Sequence, residues 1–251
     1  MPTARSFLVL AGAVLAVTAC AGAGERDAGA DAARSARLTV YAAASLTQVF
    51  PGIDPAPRYS FGGSDELATQ IREGAPADVY AAASPKYPQE LYRAGLLEKP
   101  VTFASNRLVL VVPRDNPARI GGVEDVREPG TRLVIGAEGV PVGDYAREVL
   151  GDLGLRAALA NVVSNEDDVK GVLGKVGLGE ADAGFVYATD AVVAGARVRV
   201  VELPVGAQPS IEYQIAVVAG SENRGAARRF LGLVRSRDGR RALAEAGFRL
   251  P

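Results

Sequence analysis

The stretch FGGSDELATQIR, residues Phe61–Arg72, carries the pattern around which the rest of the chain is organised. Ser64 is followed by two carboxylates and then by apolar residues at helical spacing, which predicts a helix with Ser64 as its N-cap. The two preceding glycines let the backbone approach a ligand while the first N–H groups of the helix point toward it. The stretch therefore predicts either an anion site at a helix start or a serine that only caps its helix.

The same alternation of an apolar strand with a helix recurs along the chain and predicts the fold class. The strands are predicted at residues 37–44, 59–61, 77–83, 107–113, 132–137, 161–164, 183–187, 198–203 and 213–219. This order predicts an α/β fold with mixed, mostly parallel sheets. The last strand is expected to return to the first part of the chain, so we expect two lobes joined by a hinge.

The predicted lobe boundaries follow the prolines. Lobe 1 is expected to comprise residues 37–113 and 208–251, and lobe 2 residues 114–207. The segment Pro113–Pro117 is the predicted crossing point, because a proline at each end interrupts regular structure there.

The N-terminal sequence predicts a targeting segment that is separate from the fold. Arg5 precedes the apolar run Phe7–Val17, which has the length of a secretory signal core and is short for a membrane span. The run ends in LAVTAC at residues 15–20, which resembles a bacterial lipoprotein box. This resemblance implies that residues 1–19 are a signal peptide cleaved before a lipidated Cys20. The alternative is an ordinary signal peptide with an incidental cysteine. Residues 20–36, rich in Ala, Gly and Asp, are predicted to be a flexible tether.

Composition excludes several functional classes. The 251 residues are 48% hydrophobic, enough for a sizeable core, and the net charge of −1 gives no support to nucleic-acid binding. The chain has no histidine, which rules out Ser–His–Asp and Cys–His catalysis and histidine metal sites. The acidic pair Asp167 and Asp168 is explained by a helix start, and no phosphate-loop motif is present. We therefore expect no enzyme and no cofactor.

The hexapeptide VYAAAS occurs twice, at residues 40–45 and 79–84. In the second copy, Pro85 is predicted at the first helical position, which explains Ser84 as an N-cap. Only the serine of the first copy, Ser45, is therefore assigned to a candidate site.

Strand–helix junctions at Ser45, Ser64, Val142 and Val169 are expected to place hydroxyl or N–H groups at the carboxyl edges of two facing sheets. Tyr187, at the end of another strand, can add one hydroxyl. Such a set consists of donors, which suits a fully deprotonated oxyanion and disfavours an anion whose own O–H needs an acceptor.

Several motifs, in this order and spacing, resemble one family over residues 37–251. They are AAASLT at 42–47, FGGS at 61–64 with LA at 67–68, GAPAD at 74–78, NRLV at 106–109, VPVGDYA at 140–146, DDVK at 167–170 and GFVYATD at 184–190. The chain resembles the extracytoplasmic molybdate-binding proteins of ABC transporters, which have a two-lobed periplasmic-binding-protein fold. One departure is the segment between Ser45 and Phe61, which is shorter than usual and rich in proline.

The resemblance implies a site and a function. Molybdate, and tungstate with it, would be bound as the oxyanion without direct metal ligands by Ser45, Ser64, Val142, Val169 and Tyr187. The chain would be a monomer, held by lipid on Cys20 at the outer face of the cell membrane. It would deliver the anion to an ABC permease and its ATPase. The alternatives are binding of sulfate, phosphate or another oxyanion, and a surface lipoprotein without a transport role.

Overall fold

The computed structural model describes residues 37–251, which form one compact unit. The predicted signal peptide at 1–19, the lipidated Cys20 and the tether at 20–36 lie outside the described residues. Within the described range, none of the helices combines the length and the apolar character that crossing a membrane requires.

Strands and helices alternate along the described chain as predicted. The strands are β1 Thr39–Ala43, β2 Arg58–Gly62, β3 Val79–Ala82, β4 Val101–Asn106, β5 Leu108–Pro113, β6 Leu133–Gly136, β7 Val162–Glu166, β8 Ala183–Tyr187, β9 Val198–Val201 and β10 Ile211–Val217. The helices are α1 Phe50–Ile53, α2 Ser64–Arg72, α3 Lys86–Arg93, α4 Pro141–Asp152, α5 Val169–Gly177, α6 Ala188–Ala194, α7 Arg224–Val234 and α8 Arg237–Glu245.

The strands form two five-stranded mixed sheets, one in each lobe. The first has the order β2-β1-β3-β10-β4 and the second the order β7-β6-β8-β5-β9. In each sheet one strand runs against the other four, β10 in the first and β5 in the second. The two-lobed α/β fold with mostly parallel sheets is confirmed, and the last strand does return to the first sheet.

The chain crosses between the sheets earlier than the sequence pattern predicts. β4 ends at Asn106 in the first sheet, and β5 begins at Leu108 in the second, so Arg107 alone makes the crossing. A single extended residue is enough, because β4 and β5 follow one another as nearly continuous strand. The prolines at 113–117 do not mark the crossing. Instead, Pro113 ends β5, and the Asn116 N–H donates to its carbonyl in a turn.

The central strands are apolar on both faces because helices cover both faces of each sheet. Every residue of β3, β5, β6 and β8 is buried. Helix α2 packs through Leu67, Ala68 and Ile71, the three positions that the helical spacing singles out. Burial of these faces holds each sheet rigid and so fixes the loops at the carboxyl ends of its strands.

Candidate anion-binding cleft

A cleft lies between the two lobes, at the carboxyl ends of parallel strands from both sheets. Its wall is built from loop residues and from the first residues of helices. The lining residues are Ala43, Ala44, Ser45, Gly62, Gly63, Ser64, Ala83, Val140, Pro141, Val142, Asp168, Val169 and Tyr187. All five residues predicted from the sequence as the site are therefore brought together around one cavity.

Two serines supply hydroxyls from the first lobe. Ser45 follows β1 in a single 3-10 turn, and its Oγ lies 2.9 Å from the Tyr213 hydroxyl. Ser64, only 1% exposed, is the first residue of α2, and its Oγ accepts a hydrogen bond from the Ala83 N–H at 3.1 Å. Because that N–H can only donate, the Ser64 proton is not needed there and is available to a ligand in the cleft.

Ser64 does not cap its own helix, contrary to the prediction. The N-cap of α2 is Gly63, which has no side chain to bond the first N–H groups of this helix. The hydroxyl oxygen instead accepts a hydrogen bond from the N–H of Ala83, the residue that follows β3. The cap-only alternative for Ser64 is thereby removed, and the hydroxyl is left facing the cleft.

Two helix starts in the second lobe face the cleft. Val142 is the second residue of α4 and Val169 the first residue of α5, positions whose N–H groups have no carbonyl partner within the helix. The Asp168 carboxylate is turned into its own helix, where it accepts from the N–H groups of Lys170 and Gly171 at 2.6 and 3.0 Å. It therefore leaves the Val169 N–H as the uncapped donor at this helix start.

The Tyr187 hydroxyl is buried beside the cleft and has no hydrogen-bond partner among residues 37–251. Its side chain is 2% exposed, and burial raises its pKa well above the usual value, so the hydroxyl keeps its proton at neutral pH. A buried hydroxyl without a partner costs free energy unless a ligand completes it. Tyr187 is thus poised to donate to an anion.

The lobes approach closely at the rim of the cleft. A Cβ atom at Gly63 would lie 2.5 Å from the Asp167 carbonyl oxygen, so only glycine permits this approach. Beside it, the Tyr87 hydroxyl of α3 donates to the Gly139 carbonyl at 2.5 Å. These contacts bring the two lobes together at the rim of the cleft.

The positive potential at the cleft wall comes from dipoles rather than from full positive charges. None of the lining residues is a lysine or arginine. Lys170, next in sequence to Val169, is paired with the buried Asp190 carboxylate at 2.7 Å. The described part of the chain also has no cluster of carboxylates, cysteines or histidines that could hold a metal ion. The remaining positive potential is that of the helix N-termini at the cavity wall.

Some polar groups around the cleft are not evident from the sequence pattern. Ser84 does not cap α3, because Pro85 occupies the N-cap position, and its buried Oγ has no partner among the residues described. Asn106 and Tyr213 lie behind Ser45 in a buried hydrogen-bonded group. These two residues come from β4 and β10, which pair antiparallel, and no local motif signals that they meet.

Comparison with known proteins places the chain among binding proteins. A family model described as "Bacterial extracellular solute-binding protein" matches residues 38–249. The molybdate-binding protein ModA of Mycobacterium tuberculosis H37Rv is 36% identical over 257 residues, with 97% of each chain covered.

Two solved structures have a similar fold. The substrate-binding domain of a putative molybdenum ABC transporter from Clostridium difficile is 31% identical, with a TM-score of 0.62, over 86% of this chain and 99% of that one. The periplasmic molybdate-binding protein of Azotobacter vinelandii has a TM-score of 0.76 over 86% of this chain and all of that one, at 23% identity. The two-lobed arrangement is thus shared with solute-binding proteins along nearly the whole described chain.

Proposed function

Because the chain belongs to the bacterial extracellular solute-binding proteins, we propose that it captures molybdate in the cleft between its two lobes. The family is extracytoplasmic, and its members are binding proteins rather than enzymes. The molybdate-binding relatives that match almost the full chain support the choice of ligand. The observation that carries the proposal is that all five candidate donors line one cleft, one of them a buried hydroxyl without a partner among residues 37–251.

The chemistry of these groups suits molybdate. The hydroxyls of Ser45, Ser64 and Tyr187 and the N–H groups of Val142 and Val169 are proposed to bind the anion. Each oxygen of a fully deprotonated tetrahedral dianion accepts hydrogen bonds only, so a set of donors satisfies it. The helix starts supply partial positive charge without the desolvation that a buried lysine or arginine requires.

Size is the proposed basis of selectivity over sulfate. Molybdate, tungstate and sulfate are all tetrahedral dianions, and the metal–oxygen bonds of the first two are longer. A cavity whose donors are held by helices and strands discriminates between them, because donors set for the larger anion cannot all reach the smaller one. Tungstate, nearly equal to molybdate in size, is proposed to bind as well.

The proposed lobes are residues 37–106 with 211–251 and residues 108–203, following the sheets. Hinge motion at Arg107 and at residues 204–210, which lead the chain back to the first sheet, would open the cleft and release the anion. The closed chain is proposed to deliver it, as a monomer, to an ABC permease and its ATPase. Lipid on Cys20 would hold the protein at the outer face of the membrane.

The proposal is tested by thermal unfolding of the purified protein with molybdate, tungstate, sulfate or phosphate. A ligand at about a thousand times its dissociation constant adds about 4 kcal/mol to the free energy of unfolding. We expect a large rise in melting temperature with molybdate and tungstate only. An equal rise with sulfate or phosphate would identify a general oxyanion-binding protein, and no rise with any anion would favour a lipoprotein without a transport role.

A further inference from the structure

A buried chain of hydrogen bonds lies behind Ser45 and continues into the second lobe. The Ser45 Oγ is 2.9 Å from the Tyr213 hydroxyl, which in turn lies 3.5 Å from Asn106 Nδ2. The same Nδ2 donates to Thr189 Oγ1 at 3.0 Å. All four residues are buried, and only Ser45 lines the cleft.

The orientation of the Asn106 amide determines which group donates and which accepts in each of these hydrogen bonds. The Arg107 backbone N–H donates to Asn106 Oδ1 at 2.9 Å. A backbone N–H has no lone pair, so the atom that it faces must be the amide oxygen. The other amide atom is therefore the NH₂ group, and it acts as the donor toward Tyr213 and Thr189.

The Tyr213 hydroxyl must then give its own proton to Ser45. It faces a donor on the Asn106 side, and Ser45 Oγ is the one acceptor within hydrogen-bond distance among residues 37–251. Burial raises the pKa of Tyr213 well above the usual value, so this proton is present at neutral pH. Since Ser45 Oγ accepts from Tyr213, the Ser45 proton is free to point into the cleft.

The Ser64 hydroxyl also accepts a hydrogen bond within the protein, but from a different kind of donor. Its Oγ accepts the Ala83 N–H at 3.1 Å, which again leaves the hydroxyl proton for the cleft. Both serines thus have an acceptor lone pair engaged from behind, one by a tyrosine side chain and the other by the backbone. Each Oγ keeps a second lone pair, but neither serine spends its proton on these partners, so both protons can be donated to a ligand in the cleft.

We propose that Tyr213, oriented by Asn106, is a positioning residue that keeps the Ser45 proton available to the bound anion and so favours oxyanions that carry no proton of their own. The proposal rests on the proposed function of the cleft as an oxyanion site. Sulfate and hydrogen phosphate are the most direct probes of it, since both are dianions of similar size and differ by one proton. We expect hydrogen phosphate to bind more weakly than sulfate.

The test is Tyr213→Phe, which removes the hydroxyl and keeps the buried ring. Dissociation constants for molybdate, sulfate and phosphate are measured by calorimetry and by displacement of molybdate at pH 8, where phosphate is nearly all monoprotonated dianion. Once Ser45 is free to rotate and accept, molybdate is expected to bind about fivefold to tenfold more weakly. The ratio of the phosphate to the sulfate dissociation constant is expected to fall by a similar factor.

A double-mutant cycle shows whether Tyr213 acts through Ser45. In a Ser45→Ala background, Tyr213→Phe is expected to change molybdate affinity less than about twofold, since no hydroxyl remains to be oriented. Tyr59→Phe is the matched control, because its hydroxyl donates to the Asp54 carbonyl in the same lobe and does not line the cleft. It should leave the phosphate-to-sulfate ratio unchanged.

The outcomes separate this inference from the proposed function. Wild-type protein that binds no oxyanion would overturn both. Wild-type protein that binds molybdate, with an unchanged phosphate-to-sulfate ratio in Tyr213→Phe, would overturn the inference alone. An equal loss from Tyr213→Phe with and without the Ser45 hydroxyl would also overturn it, since the tyrosine would then act only on packing.

Discussion

At the residue scale, Ser64 contributes its hydroxyl to the cleft and not to the start of its own helix. We predict that Ser64→Ala weakens molybdate binding about tenfold to a hundredfold, the loss of one hydrogen bond to a charged group. Calorimetric titration measures this change. The fold should survive with some loss of stability, because Gly63 still holds the N-cap position but the buried Ala83 N–H loses its acceptor.

Ser236→Ala is the matched control for that prediction. Ser236 does cap a helix, since its Oγ accepts from the Gly239 N–H at 3.1 Å at the start of α8. Its loss should lower the free energy of unfolding by about 1 kcal/mol and leave molybdate affinity unchanged. The opposite pattern, with Ser64→Ala costing stability and not affinity, would mean that Ser64 has only a structural role.

Tyr187 gives a second prediction at this scale. Tyr187→Phe removes a buried hydroxyl that has no partner in residues 37–251, so the ligand-free protein should keep its melting temperature or gain slightly. Molybdate affinity should fall about tenfold or more, because a charge-assisted donor is lost. Melting curves with and without molybdate measure both effects. A fall in ligand-free stability with normal affinity would contradict the assigned role.

The sequence allowed the five candidate site residues to be predicted because each one ends or follows a strand, and the carboxyl ends of parallel strands lie at one edge of a sheet. It did not allow the groups behind them to be predicted. Asn106 reaches Tyr213 only through the antiparallel register of β4 and β10, a long-range pairing that no local pattern encodes. The true partner of Ser64 is likewise a backbone N–H from another strand, at Ala83.

At the scale of elements, the start of α2 is pressed against the start of α5. We predict that Gly63→Ala holds the lobes apart, because its Cβ would meet the Asp167 carbonyl oxygen at 2.5 Å. Overpacking of this kind costs about 1–3 kcal/mol, which should appear as weaker molybdate binding by calorimetry. The ligand-free melting temperature should change little, since the φ of −60° at Gly63 is accessible to alanine.

Gly52→Ala in α1 is the comparison for that variant, because an added Cβ there meets nothing within 4 Å. It should leave affinity unchanged. Normal affinity in Gly63→Ala would show that the ligand-bound protein does not need this close approach of the lobes.

The helices and most strands were predictable from apolar spacing, while β4 was not. Its sequence VTFASN mixes polar and apolar residues, and only three of its six positions are buried. The position of the crossing was also missed. Proline marks a break in regular structure, whereas the actual crossing at Arg107 is extended and carries no composition signal.

At the scale of the whole molecule, closure brings acidic groups of the two lobes together. Burial raises the pKa of Asp65 in the first lobe, and the nearby carboxylates of Asp144 and Asp167 in the second lobe raise it further. A raised carboxyl pKa makes the folded state less stable as pH rises from the ordinary value of 3.8 through the raised value. We predict that Asp65→Asn stabilises the protein at pH 7.

The gain from Asp65→Asn should shrink as pH falls toward 3.8, and denaturant unfolding at a series of pH values measures it. Asp182→Asn should behave in the opposite way. Burial opposes the charge of Asp182, but hydrogen bonds from Arg132 lower its pKa overall. The variant should therefore lose stability at pH 7, and this loss should also shrink in acid. A gain from Asp65→Asn that stays constant with pH would contradict an ionic origin.

The central claim is that one molybdate is bound by donors from both lobes. Isothermal titration of molybdate into the wild-type protein tests it most directly, with Ser64→Ala and Tyr187→Phe titrated in parallel. We expect one molybdate per chain, weaker binding in each variant, and a larger loss when both changes are combined. Absence of binding at millimolar molybdate, or binding that neither variant weakens, would contradict it.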